Sequence, residues 1–81
     1  MQKHTKIYLN GMGYTDTCFV PSELSYKRAN DTHHIISRGK GGEDRIENLM
    51  ALTREEHDIY GDKVKYMNLL LIKHEEMLLK R

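Results

Sequence analysis

The sequence predicts an α+β fold in which two short strands and a short helix are followed by a long C-terminal helix. Three observations predict it: a β-branched run before a glycine-rich loop, a capping box after the next apolar run, and apolar residues at helical spacing near the C-terminus. With 81 residues, 38% of them hydrophobic, the chain is expected to form a single domain over residues 1–81 with a thin core.

The first elements are predicted from local patterns. Residues 5–9 alternate enough for a short strand, which the following Asn-Gly-Met-Gly ends, and residues 14–30 have the composition of a loop. The β-branched run at 31–37 is predicted as a strand and the glycine-rich stretch at 37–42 as a flexible loop. Residues 46–52 are then expected to pair back on the first of these strands as a second strand.

Two helices are predicted after this hairpin. Thr53 and Glu56 have the spacing of a capping box, and the helix that they begin carries His57 and ends near Gly61. A second helix is predicted from about residue 62 to the C-terminus. Its main apolar stripe comprises Val64, Met67, Leu70, Leu71, Met77 and Leu78, and a second apolar face comprises Leu69, Ile72 and Leu79. One face is expected to cover the hairpin, and the other is a candidate subunit interface.

Composition restricts the classes of protein. The single cysteine, Cys18, excludes a disulfide within the chain and is typical of a reducing cytosol, and no apolar stretch is long enough to span a bilayer. We therefore expect a cytoplasmic protein without a membrane partner. The net charge is only +1, but basic blocks at 27–40 and 63–81 flank an acidic block at 41–62. Such blocks can surround a metal site with phosphate-binding flanks, and a solvated mixed-charge surface explains them equally well.

Three of the five histidines, His33, His34 and His57, lie within twenty-five residues. Imidazole is both a base near neutral pH and a common metal ligand. Because adjacent strand residues point to opposite sides, His33 and His34 cannot bind one ligand by simple alternation. This favours a division in which one binds a metal and the other acts on the substrate. Taken singly, each histidine is more often structural than catalytic.

Three segments together resemble the HNH endonuclease family: DTHHIISRGKGG at 31–42, ENLMAL at 47–52 and REEH at 54–57. The order His-His, Asn, His carries the resemblance, which covers about residues 20–63 and is greatest to bacteriophage-type members. It implies a ββα-metal fold for these residues. The helix at about 63–81 lies beyond them, and its two apolar faces predict a covering or dimerisation element. The resemblance also implies a metal-dependent endonuclease that nicks or cleaves DNA, in a bacterial or phage-infected cell.

The resemblance assigns roles to four residues. His34 corresponds to the general base that activates the attacking water, and Asn48 to the asparagine that holds the loop and orients the base through a backbone contact. His33 and His57 correspond to ligands of one divalent metal ion. Two imidazoles favour Mn, Ni or Zn over Mg, although the family often uses Mg.

Supporting residues are expected around this set. Asp31 is two residues before His33 and is a candidate acceptor behind that ligand, although an ordinary surface aspartate is as good an interpretation. Arg38 and Lys40 flank the glycine loop and are candidate contacts to backbone phosphates, the alternative being solvated loop charge.

The sequence departs from many relatives at two Cys-x-x-Cys pairs that hold a structural zinc. The matching positions here are Ser22, Ser25, Thr53 and Glu56, so no structural zinc is expected. Structural zinc contributes on the order of 10 kcal/mol to small domains, whereas a helix cap contributes about 1. We expect the C-terminal helix to supply the missing stability through a homodimer.

A second departure concerns the catalytic metal. Relatives with three histidine ligands have another histidine four residues after the helix ligand, where this chain has Gly61. The site is then expected to use His33 and His57, with Asp58 or Asp62 as a less favoured further ligand.

Two alternatives remain open on the sequence alone. The absent cysteines favour a catalytically silent nucleic-acid-binding or assembly subunit, whereas the intact His-His, Asn, His set opposes it. A nuclease for branched DNA or RNA is the other alternative.

Overall fold

The computed structural model describes residues 2–15 and 19–81; Cys18, on which the expectation of a reducing environment rests, lies outside the described residues. The helices are α1 (Lys3–Met12), α2 (Arg54–Tyr60) and α3 (Val64–Lys80), and the strands are β1 (Asp31–His34) and β2 (Leu49–Leu52). The strands form an antiparallel hairpin, followed by the short helix α2 and the long helix α3. This confirms the predicted α+β fold of the ββα-metal type.

The hairpin places His33 opposite Met50 and His34 opposite Leu49. Both strands are shorter than predicted. After β1 the backbone pairing extends by one hydrogen bond, from the amide of Ile35 to the carbonyl oxygen of Asn48 at 2.9 Å, and residues 46–48 just before β2 form a 3₁₀ turn. All four residues of β2 are buried, so the hairpin must be covered on both sides.

Each side of the hairpin has its own apolar cluster. The buried residues are Tyr8, Leu49 and Ala51 on the α1 side, and Ile35, Met50, Leu52 and Leu70 on the α3 side. Cross-strand partners share a side. His33, opposite Met50, therefore points to the α3 side and His34, opposite Leu49, points to the α1 side, as strand alternation predicted.

The strand predicted over residues 5–9 is wrong, because this segment lies within α1. Tyr8 and Leu9 are buried in the fold. Packing of the segment against the hairpin therefore decides its conformation, and the weak local alternation does not. The element also ends later than predicted, because the helix continues through Asn10 and Gly11 to Met12. It ends at Gly13, which adopts a positive φ of 80° as helix-terminating glycines commonly do.

The C-terminal helix follows the predicted pattern with two exceptions. Leu70 is buried and Leu69 and Leu79 are exposed, as expected for a helix with two apolar faces. Val64 was assigned to the buried stripe but is 69% exposed, because it is the first residue of α3. His74, which the apolar pattern passes over, is buried. Among the described residues no helix is long and apolar enough to cross a membrane.

The four positions that correspond to zinc ligands in relatives come together and are joined by hydrogen bonds. The hydroxyl of Ser22 donates to Oε1 of Glu56, and the amide of Thr53 donates to the same oxygen at 2.9 Å. The amide of Ser25 donates to the Ser22 hydroxyl at 3.3 Å, and the Thr53 hydroxyl accepts from the Glu56 amide at 3.1 Å. The predicted capping box is thus present, and its glutamate also binds the loop.

A buried polar network joins α1, the loop before β1 and α3. The hydroxyl of Tyr8 donates to Oε2 of Glu23 at 2.6 Å, and Nδ1 of His74 lies 2.8 Å from Oε1 of the same carboxylate. The other ring nitrogen of His74 contacts the carbonyl oxygen of Ile46 at 2.5 Å. This network fixes α3 to the turn that precedes Asn48.

Candidate metal and active site

His33, the third residue of β1, is 4% exposed, and its Nε2 has no hydrogen-bond partner among the described residues. Burial, with the charge of His57 second, lowers the pKa of His33 to about 4. The ring is therefore neutral at neutral pH. An unpaired buried nitrogen costs about 1–3 kcal/mol, so Nε2 calls for a partner beyond the protein groups that the structure describes.

Helix α2 packs on the same side of the hairpin and brings His57 against His33, with ring centroids 4.7 Å apart. Behind His57, Nδ1 lies 3.1 Å from Oδ2 of Asp31. Desolvation raises the pKa of Asp31, but hydrogen bonds from Arg54 and His57 outweigh it and lower the pKa overall. Because an ionised carboxylate only accepts, Nδ1 of His57 donates to it, and Nε2 is the nitrogen left for a metal ion.

This contact corrects the position expected for Asp31. The sequence placed its carboxylate behind His33, whereas in the structure it contacts His57 and Arg54. Asp31 and His33 share a side of β1, and α2 lies over that side, so the carboxylate meets the helix residue.

A third group adjoins the two imidazoles. One ligand atom each of His33, His57 and Asp62 lies within 4.8 Å of the other two. Asp62 follows α2 after Gly61 and has a positive φ of 57°, which is uncommon for a residue other than glycine. Among the described residues this is the group that could hold a metal ion, and Asp58 is not part of it.

His34 points to the opposite side of β1, where Asp44 and His4 contact its ring. Nε2 of His34 lies 2.7 Å from Oδ1 of Asp44, and the ring of His4 lies against it at a centroid distance of 4.7 Å. The hydrogen bond from His34, followed by that from Arg38, lowers the pKa of Asp44. The carboxylate is therefore an acceptor, and Nε2 of His34 donates to it.

Asn48 is buried and closes the loop between the strands. Its Oδ1 accepts from the amide of Ile36 at 2.7 Å, and its Nδ2 donates to the carbonyl oxygens of Ile36 and Glu43, both at 3.0 Å. Its backbone oxygen accepts from Ile35. Asn48 thus fixes the backbone of the two residues that follow His34. Gly42 lies tightly against this arrangement, because a Cβ there would overlap the carbonyl oxygen of Ile36.

Residues 17–63 match the family model described as HNH endonuclease, which is more than half of the chain. The chain belongs to the HNH endonuclease family. No match was found among curated proteins or among solved structures. Membership of the HNH family supports a nuclease activity in general, and members typically use a divalent metal ion.

The side chains of this HNH domain fit such an ion. A buried, neutral imidazole has an unpaired nitrogen, and a second imidazole is held by a carboxylate in the tautomer that leaves Nε2 as a ligand. Arg38 and Lys40, expected to contact phosphate, are both exposed. Arg38 is bound to Asp44, with Nη2 3.1 Å from each carboxylate oxygen.

Three residues of this HNH site were missed or given little weight by sequence reasoning. His4 precedes the segment that was predicted as a strand, and no local pattern indicated that it would lie in α1 and approach His34. Asp44 is ten residues from His34 and meets it only because the loop folds back. The sequence did indicate Asp62 as a possible ligand, because Gly61 and Asp62 directly follow the helix that carries His57.

Proposed function

We propose that the chain is a metal-dependent endonuclease that hydrolyses DNA phosphodiester bonds, by nicking or by cleaving both strands. The observation that carries the proposal is the opposed arrangement of two adjacent histidines. His33 faces His57 with an unpaired buried nitrogen, whereas His34 faces the other side and is held by Asp44. A ligand pair and a separately oriented base are what metal-assisted phosphodiester hydrolysis requires.

In this proposal His34 accepts a proton from the water that attacks phosphorus. The bond from phosphorus to the 3′ oxygen breaks, which leaves 5′-phosphate and 3′-hydroxyl ends. His33 and His57 hold the divalent ion (Mg, Mn, Ni or Zn), which supplies Lewis-acid stabilisation of the charge developing on phosphate and on the leaving oxygen. Asn48 keeps the backbone after His34 in place through its hydrogen bonds to Ile36.

Phosphate contacts are assigned to Arg38 and Lys40. Both are exposed in the loop after β1, and Arg38 can exchange its contact with Asp44 for a phosphate oxygen. The 13 basic residues are nearly balanced by 12 acidic ones, so nonspecific affinity for DNA is weak and falls with salt.

We infer a homodimer through α3. Leu69, Ile72 and Leu79 are exposed on this helix, which leaves an apolar face for a second copy to cover. Sedimentation of the wild type and of Ile72→Glu at micromolar concentration tests this, since a folded wild-type monomer contradicts it. The cell compartment that we assign is the cytoplasm of a bacterial or phage-infected cell.

A plasmid-nicking assay with Mg, Mn, Ni or Zn, comparing the wild type with His34→Ala, tests the nuclease proposal. General base catalysis contributes about 10²- to 10⁴-fold, so the variant should lose activity on that order. Circular dichroism of both proteins checks that they are equally folded. A wild type that is as inert as the variant with every metal contradicts the proposal and favours the silent binding subunit. Branched DNA and RNA are run in parallel to test the substrate.

A further inference from the structure

We propose that Asp62 is the third protein ligand of the metal, so that two imidazoles and one carboxylate form the site with His33 and His57. The inference rests on the proposed metal-dependent nuclease and extends it by a ligand. Ligand atoms about 2.1 Å from one ion lie roughly 3–4 Å apart. The three atoms here lie within 4.8 Å of one another, so small side-chain rotations complete the set.

The backbone at Asp62 supports a ligand role. Its φ of 57° lies in the left-handed region, where aspartate is enriched among residues other than glycine, so this turn accepts a carboxylate at the position. The turn is held by a hydrogen bond that Nζ of Lys63 donates to the carbonyl oxygen of Asp58 at 2.7 Å.

The packing at Gly61 explains why the carboxylate comes from residue 62. A Cβ at Gly61 would overlap the ring and the carbonyl oxygen of His57. Any side chain there, including a histidine one turn after His57, is therefore excluded unless the backbone moves. Gly61 lets the chain pass close to His57. Asp62 is therefore the first residue after α2 whose side chain can reach the two imidazoles.

The buried nitrogen of His33 is the independent observation that points to a ligand. This Nε2 is unpaired among the described residues, on a side chain more than nine-tenths buried. A mixed set of two nitrogens and one oxygen also changes the metal preference. Imidazole suits transition ions and carboxylate suits Mg and Mn, so Mn²⁺ fits both donor types.

The test measures Mn²⁺ binding by calorimetry on the full chain without DNA, for the wild type, Asp62→Asn and Asp58→Asn. Asparagine tolerates a positive φ, so Asp62→Asn keeps the backbone while it removes the charge. Asp58→Asn removes the same charge from α2 but lies outside the ligand set. We expect at least about a tenfold loss of affinity for Asp62→Asn and less than about a twofold loss for Asp58→Asn.

A second variant, Asp62→Gly, guards against a general loss of folding. Glycine adopts the positive φ without strain, so this variant should melt no lower than the wild type without metal and still bind Mn²⁺ weakly. Unchanged Mn²⁺ affinity in both Asp62 variants, or an equal loss in Asp58→Asn, overturns the inference. Nicking assays separate this inference from the proposed nuclease function. If Mn²⁺ binding depends on Asp62 but no variant nicks DNA, Asp62 is a ligand and the nuclease proposal is wrong. If the protein nicks DNA but Mn²⁺ binding does not depend on Asp62, the nuclease proposal stands and the ligand inference is wrong.

Discussion

Oδ1 of Asp44 lies 2.7 Å from Nε2 of His34, so a carboxylate holds the ring of the proposed base directly. Because the ionised carboxylate accepts, Nε2 is the donor, and a base at His34 would act through Nδ1. Arg38 binds the same carboxylate, so the orientation of the base is connected to a residue assigned to phosphate.

Replacing Asp44 should therefore reduce the rate of hydrolysis more than the binding of DNA. We expect Asp44→Asn to lower kcat about tenfold or more, with little change in KM, because the ring loses its fixed tautomer. Nitrogen NMR at about pH 8, where a free imidazole of pKa ~6.5 is neutral, should show a mixed tautomer for His34 in the variant.

The matched control is Glu47→Gln, which removes a charge from the same loop at an exposed position whose ion pair with Arg45 is 3.6 Å long. Equal effects of the two substitutions would mean that loop charge, and not orientation of His34, is responsible.

Gly42→Ala should destabilise the loop that Asn48 closes. The new Cβ would overlap the carbonyl oxygen of Ile36 and lie 2.9 Å from Nδ2 of Asn48, so the hydrogen bonds of Asn48 cannot all survive. We expect a loss of about 2 kcal/mol or more in the free energy of unfolding, measured in urea. Gly39→Ala serves as the control, because its Cβ meets open space. A stable Gly42→Ala protein would show that the loop can move without cost.

The buried pair of His74 and Glu23 should make stability depend on pH. Both nitrogens of His74 face acceptors, on Glu23 and Ile46, so the ring is an imidazolium. Burial alone would lower the pKa of His74, but the hydrogen bond and charge of Glu23 outweigh it and raise the pKa. The stabilisation is therefore complete below the unfolded value of about 6.5 and is lost as pH rises through the higher folded value.

The measurement compares the free energy of unfolding of the wild type and His74→Gln across this range. The difference between them should be largest below about pH 6.5 and decrease at higher pH. Taking the difference removes the opposite contribution of His33, whose lowered pKa destabilises the fold as pH falls. A difference that stays constant or grows with pH contradicts the imidazolium assignment.

Glu56→Ala should lose more stability than a surface substitution. The change removes one half of the capping box and leaves the buried hydroxyl of Ser22 without its acceptor. Together these predict a loss of about 2 kcal/mol, measured as the urea midpoint. Glu55→Ala is the neighbouring control, since Glu55 is exposed on the first turn of α2. Similar midpoints for the two variants would show that Glu56 acts only as an ordinary surface charge.

Local patterns predicted the parts of the fold whose hydrogen bonds are local. The capping box at Thr53 depends on four consecutive residues, and the hairpin depends on two apolar runs and a glycine loop. α1 could not be predicted in this way, because burial of Tyr8 against β2 decides it. The exposed Val64 shows the same limit of local patterns. Apolar spacing predicts which residues share a helix face, but it does not predict the residue at which the helix begins.

The residues of the candidate site also divide into those that the sequence motif predicts and those that it does not. The motif brought out His33, His34, Asn48 and His57, which the structure arranges on two sides of one hairpin. Asp44 and His4 reach His34 through a folded loop and a distant helix, and no spacing in the sequence encodes either contact.

The hydrogen bond between Ser22 and Glu56 also affects the chemical conditions under which the chain can fold. Relatives that use thiolates at these positions depend on zinc supply and are open to oxidants and electrophiles that attack sulfur. A hydroxyl and a carboxylate need no zinc at these positions and are not attacked by such oxidants and electrophiles. Zinc starvation or oxidative stress should therefore leave this part of the fold intact.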